Sequence, residues 1–119
     1  MNFINTDQNV GKWGLEMAWI TACAVEDIDP EDVLRFDHDG KTYAIYRDPK
    51  GAFFATAGLC SHEQVHLCDG LVMGDQIECP KHNGRFNYKT GAAQRAPVSV
   101  NLKTFATRVQ GDDVQIEVD

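Results

Sequence analysis

No run of apolar residues in the 119-residue chain approaches the length needed to cross a bilayer, so no membrane is expected as a partner. The first residues, Met1-Asn2-Phe3-Ile4-Asn5-Thr6-Asp7-Gln8, lack a basic start, an apolar core and a twin arginine. They do not read as an export signal, and the cytoplasm is the expected location. Basic residues are in deficit, with 11 Lys and Arg against 18 Asp and Glu and a net charge of −7 when histidine is neutral. Nucleic acid demands a basic surface and is excluded as an expected partner. A positively charged protein surface suits such a chain better. No long amphipathic helix, internal repeat or low-complexity tract is present. Cysteine is scarce, at four residues. Without an export signal a pair of disulfides is a weak reading, and metal ligation or plain burial is the better one.

What is there is enough for one domain with its own core. Residues 1–17 are polar, carry Gly11 and Gly14 and show no periodicity, so they are expected to form an N-terminal arm, with Trp13 pinning it to the body. Residues 18–119 read as short strands between turns. Trp19 to Ala24 alternates in part. Val33-Leu34-Arg35-Phe36 and Thr42-Tyr43-Ala44-Ile45-Tyr46 flank Asp37-His38-Asp39-Gly40, a strong hairpin signal. Asp48-Pro49-Lys50-Gly51 is a second turn, leading into Ala52 to Thr56. Leu71-Val72 and Gln76-Ile77-Glu78 form a small hairpin through Met73-Gly74-Asp75. Thr104 to Val109 and Val114 to Val118 are expected to pair around Gly111-Asp112-Asp113. The expected class is all-β: a small antiparallel sandwich or barrel with an inserted lobe of two loops.

Those two loops carry the chemistry. Cys60-Ser61-His62 is followed after sixteen residues by Cys79-Pro80-Lys81-His82. C-x-H and C-x-x-H each offer one sulfur and one nitrogen, so neither loop can hold a 2Fe–2S cluster alone and the two together can. Cys60 and Cys79 would bind one iron, His62 and His82 the other, a ligand set known for high-potential 2Fe–2S centres. Charge counting explains the effect of the histidines. Two ferric ions, two sulfides and two thiolates sum to zero, whereas an all-cysteine site starts at −2, where adding an electron is harder. Mixed ligation therefore raises the potential, to about −150 to +300 mV. The imidazole edges are the expected electron port. Two other readings stay open on the residues alone. Zinc takes the same donors, although structural zinc motifs usually pair like residues. A nucleophilic Cys/His dyad would leave the second pair unexplained.

Cys60-Ser61-His62, Cys68-Asp69-Gly70, Glu78-Cys79-Pro80-Lys81-His82-Asn83-Gly84-Arg85-Phe86 and Lys89-Thr90-Gly91 together resemble the Rieske-type ferredoxins of bacterial multicomponent oxygenases, which hydroxylate aromatic rings. The resemblance runs from about Trp19 to the C-terminus. It implies the Rieske iron–sulfur fold, one 2Fe–2S cluster per chain, and a small monomeric carrier that is not itself an enzyme. Such a carrier takes electrons from an NAD(P)H-dependent flavin reductase and delivers them to the Rieske centre of a terminal oxygenase. Two other placements are the Rieske domain of an oxygenase α subunit, for whose second iron domain this chain has no room, and an electron-transfer small subunit of a nitrite reductase-like complex.

Departures from other branches sharpen the expectation. Respiratory and photosynthetic Rieske proteins join their ligand loops by a disulfide. Lys81 stands at the second-loop position, and Cys68 lies too far along the first loop, reading instead as a small buried side chain. Their serine and tyrosine donors to sulfur are replaced by Gly84 and Phe86, with Tyr88 out of register. Fewer donors stabilise the reduced cluster less, so a potential near about −150 mV is expected. His66 and His38 are not needed as ligands. Lys81 and Arg85, bracketing His82, are expected to form a positive collar around the electron port, and Pro97 a rigid loop over the cluster.

Overall fold

The computed structural model describes residues 18–119; the arm expected at residues 1–17, with Trp13, lies outside the described residues. Among the described residues eleven strands follow in order: β1 (Ala18–Ala24), β2 (Asp32–His38), β3 (Lys41–Arg47), β4 (Phe53–Ala57), β5 (Leu71–Met73), β6 (Gln76–Glu78), β7 (Arg85–Asn87), β8 (Ala93–Arg95), β9 (Thr104–Phe105), β10 (Thr107–Gln110) and β11 (Asp113–Val118). Among the described residues there are also two single turns of 3₁₀ helix, Val25–Asp27 and Leu67–Asp69. The strands form three antiparallel sheets, in the orders β9-β4-β3-β2, β10-β11-β1 and β5-β6-β7-β8.

Tight turns set the registers. His38 pairs with Lys41 around Asp39 and Gly40, which take φ of 52° and 78°. Asp and Gly tolerate that left-handed backbone, which matches the twist of the flanking strands. The β5–β6 hairpin forms as expected, except that Met73, read as part of the turn, pairs with Gln76. The last hairpin differs from the sequence expectation. Asp113 is already in β11, opposite Gln110. Thr104 to Val109 is also not one strand: it breaks at Ala106, so that β9 pairs with β4 in one sheet and β10 with β11 in another. An alternating pattern cannot reveal such a change of partner, because both halves keep the same period.

Strand β3 organises the interior. Its residues point alternately to opposite faces, as any strand requires. Tyr43 and Ile45 join Ile28, Phe53, Ala55, Val114, Ile116 and Val118 in the core between the two larger sheets. Ala44 and Tyr46 face the other way, into a second core with Leu67, Val72, Ile77, Phe86, Tyr88, Val98 and Leu102. The run Tyr43-Ala44-Ile45-Tyr46 is apolar throughout because the strand is covered on both faces. The base is thus a two-sheet sandwich, and the lobe of β5–β8 lies on the outer face of its four-stranded sheet. Tyr46 stacks on Tyr88 at 4.6 Å and 10° across this seam, and the Tyr46 hydroxyl is hydrogen-bonded to Thr56 Oγ1 at 2.8 Å.

Candidate metal centre

Both ligand motifs are closed by the same device. The Cys60 amide donates to the Val65 carbonyl at 2.9 Å, and the Cys79 amide to the Gly84 carbonyl at 2.7 Å. Each C/H pair therefore sits in a pinched loop. The first loop follows β4 and is tied down by the Leu59–His66 bridge. The second is the tip of the β6–β7 hairpin, directly beyond the Glu78–Arg85 pair. His82 and Asn83 both take positive φ, 70° and 61°, at this tip. Residues with a Cβ adopt that conformation at a cost of about 1–2 kcal/mol each, so the surrounding loop must impose it.

The four expected ligands separate by depth. Cys60 and Cys79 are buried at 3% and 0% exposure, and both belong to the lobe's core. Their thiols are neighbours. Burial first of all, and then the Cys60 thiol, push the Cys79 thiol up to about 11, against the opposing pull of the Lys81 amide hydrogen. A thiol held protonated in this way ionises readily only when a cation arrives to replace the proton. His62 and His82 are exposed at the loop tips, their ring centroids 5.8 Å apart and their planes at 73°. Two sulfurs lie inside and two imidazoles outside. Among the described residues no three Cys, His, Asp or Glu side chains converge as ligands of one ion. A two-iron core asks each metal for only two protein ligands, so this donor set fits a 2Fe–2S cluster and fits a single zinc ion poorly.

A third segment backs the loops. Val98 is buried against Gly84, where an added Cβ would stand 2.5 Å from Val98 Cγ1. The Ser61 hydroxyl donates to the Val100 carbonyl. The Pro97 segment is thus fastened to both ligand loops, with Pro97 itself exposed. This packing also explains the missing serine, since any side chain at position 84 would displace Val98. The Tyr88 hydroxyl donates to the Gly74 carbonyl, in the β5–β6 turn rather than in a ligand loop. Neither Gly84, Phe86 nor Tyr88 offers a hydroxyl to a cluster sulfur.

The expected positive collar needs correction. Lys81 Nζ lies 3.3 Å from Glu63, and Arg85 Nε 3.0 Å from Glu78. Both cations that bracket His82 are paired with an acid, so the collar is locally balanced. Glu63 carried no signal in the motif beyond standing next to His62, and its partner comes from the other loop. Cys68 is half-buried in the 3₁₀ turn and His66 half-buried behind the first loop.

A family model for the Rieske [2Fe-2S] domain matches residues 18–106. The chain belongs to the Rieske family. The ferredoxin component of the naphthalene 1,2-dioxygenase system of Pseudomonas aeruginosa is 41% identical over 100 residues, 84% of this chain and 95% of that protein. Among solved structures, the complex of reduced oxygenase and oxidised ferredoxin of carbazole 1,9a-dioxygenase superposes with a TM-score of 0.78 at 34% identity, covering 82% of this chain and 91% of that one. A putative NADH-dependent nitrite reductase small subunit of Mycobacterium tuberculosis reaches a TM-score of 0.77 at 19% identity, over 87% of this chain and 97% of that one, a likeness of fold alone. This Rieske protein is an electron carrier with a 2Fe–2S cofactor, and the catalysis of its system belongs to another component. No described helix is long and apolar enough to cross a membrane.

Proposed function

We propose that Cys60, His62, Cys79 and His82 hold the cluster, and that the protein carries single electrons from an NAD(P)H-dependent flavin reductase to the Rieske centre of a terminal oxygenase. It does so as a cytoplasmic monomer in which residues 18–119 form the working domain. The observation that carries this reading is the split of the donor set: two adjacent thiols buried in the lobe and two imidazoles exposed at its tip. The bound cluster supplies a one-electron couple whose reducible iron is the histidine-ligated one. The protein's own residues do the rest. Cys60 and Cys79 anchor from a dry core, and Phe86, Val98 and Leu102 keep water from that side. His62 and His82 offer conjugated edges to a partner at the surface.

Electron paramagnetic resonance of the reduced protein, followed by redox titration, tests the reading. Mixed N/S ligation lowers the average g below that of all-cysteine clusters, and the midpoint is expected near about −150 mV. The reduced protein should be oxidised by a terminal oxygenase of this class in stopped-flow mixing. A zinc-loaded, colourless protein after anaerobic reconstitution, or a midpoint above zero, contradicts the proposal.

A further inference from the structure

Glu63 joins the two ligand loops. One carboxylate oxygen lies 3.3 Å from Lys81 Nζ, in the second loop, and the other 3.7 Å from His62 Nε2, in the first. Glu63 is 30% exposed and Lys81 54% exposed. An ion pair so open to water contributes little to stability. Holding the fold together is therefore a poor account of why these two charges meet here. Their position relative to the outer ring of the site is the better one. A carboxylate beside an imidazole opposes the arrival of an electron on the metal behind that ring. Lys81 acts with the opposite sign, through the charge it places beside Glu63 and through its amide hydrogen, which points at Cys79.

We infer that Glu63 is a positioning residue that lowers the reduction potential of this protein through His62, and that Lys81 limits the extent of that lowering. The inference rests on His62 and Cys79 being ligands. Two charges of opposite sign, at 3.3 Å from one another, then set the potential by their difference. Neither residue touches the reductant or oxidant for this purpose, so the effect belongs to equilibrium and not only to docking.

The test uses the holoprotein as purified, with Glu63→Gln and Lys81→Gln made singly and together. Each midpoint is measured by redox titration followed by visible circular dichroism, at low and at high salt. Glu63→Gln is expected to favour reduction about three- to tenfold, which at 59 mV per tenfold is a rise of about 30–60 mV. Lys81→Gln is expected to move the midpoint down by a smaller amount, the double variant to fall between, and high salt to shrink all three shifts. Glu63→Asp, which keeps the charge but shortens its reach, covers a failure of the glutamine variant to assemble and should give a smaller rise. Single shifts of the same sign, or shifts below about twofold in both variants with an unchanged mixed-ligand spectrum, overturn the inference and leave the ligand assignment standing. A wild type without a mixed-ligand spectrum overturns both.

Discussion

In the base, strands β1, β2 and β3 run seven residues each; in the lobe, β5 to β8 run three each. The base core is filled by Ile, Val, Tyr and Phe from two facing sheets. The lobe core draws on two cysteines and borrows Ala44 and Tyr46 from the base. A sheet of three-residue strands has too few ladder bonds and too little apolar area to stand alone. It is held from one side by the Tyr46–Tyr88 stack and from the other by whatever joins the two ligand loops. Small polar ties add to this: the Gly74 amide donates to Glu31, and Lys89 bridges Asp48 of the base and Asp75 of the lobe. The base is thus a self-sufficient scaffold. If the four proposed ligands hold the cluster, the lobe is expected to depend on it for order, while the base keeps its own core.

The largest break in this comparison comes from Cys79→Ala. It is expected to abolish the cluster, collapse amide protection across β5–β8 and leave β1–β4 and β11 protected. Hydrogen exchange read by mass spectrometry checks it, and uniform loss of protection would mean that the two regions fold as one. Gly84→Ser is next. Its Cβ would sit 2.5 Å from Val98 Cγ1, an overpacking expected to cost about 1–3 kcal/mol in the lobe. Adding Val98→Ala makes room and should recover most of the loss, measured by urea denaturation monitored through the visible absorbance of the cluster. The smallest effect is expected at the seam. Burial by itself would raise the Asp48 carboxyl, but bonds from Lys89 and from the Ala52 and Lys50 amides outweigh it and hold the carboxyl below its usual 3.8. A depressed folded-state value stabilises the fold above the unfolded one and stops doing so as the pH falls through the folded one. Asp48→Asn should therefore lower the protection of the Lys50 and Ala52 amides above about pH 5. That difference from wild type should fade below pH 3.8 as Asp48 itself protonates.

Much of this was legible in the chain because it is local. Asp39-Gly40 announces a hairpin through its backbone preference, and C-x-H with C-x-x-H announces a mixed donor set through ligand chemistry. The pairing of Arg85–Asn87 with Ala93–Arg95 was not legible, since strands of three mostly polar residues have no measurable period. Nor was the crossing at Ala106, where the partner changes with no Gly or Pro to mark it. Glu63 and Lys81 are eighteen positions apart. Nothing between them indicates that their loops meet.

Sequence alone determined the candidate donor set, the Asp39-Gly40 turn and the absence of hydroxyl donors at Gly84 and Phe86, because each depends on residue type and near neighbours. Tertiary structure decided which charges pair, since Glu63–Lys81 and Arg85–Glu78 replaced a collar that a reading of the linear chain had left positive. It also decided that the thiols lie dry and the imidazoles wet. Burial and long-range pairing are properties of how segments meet, and that is settled only when the lobe packs on the outer face of the sandwich.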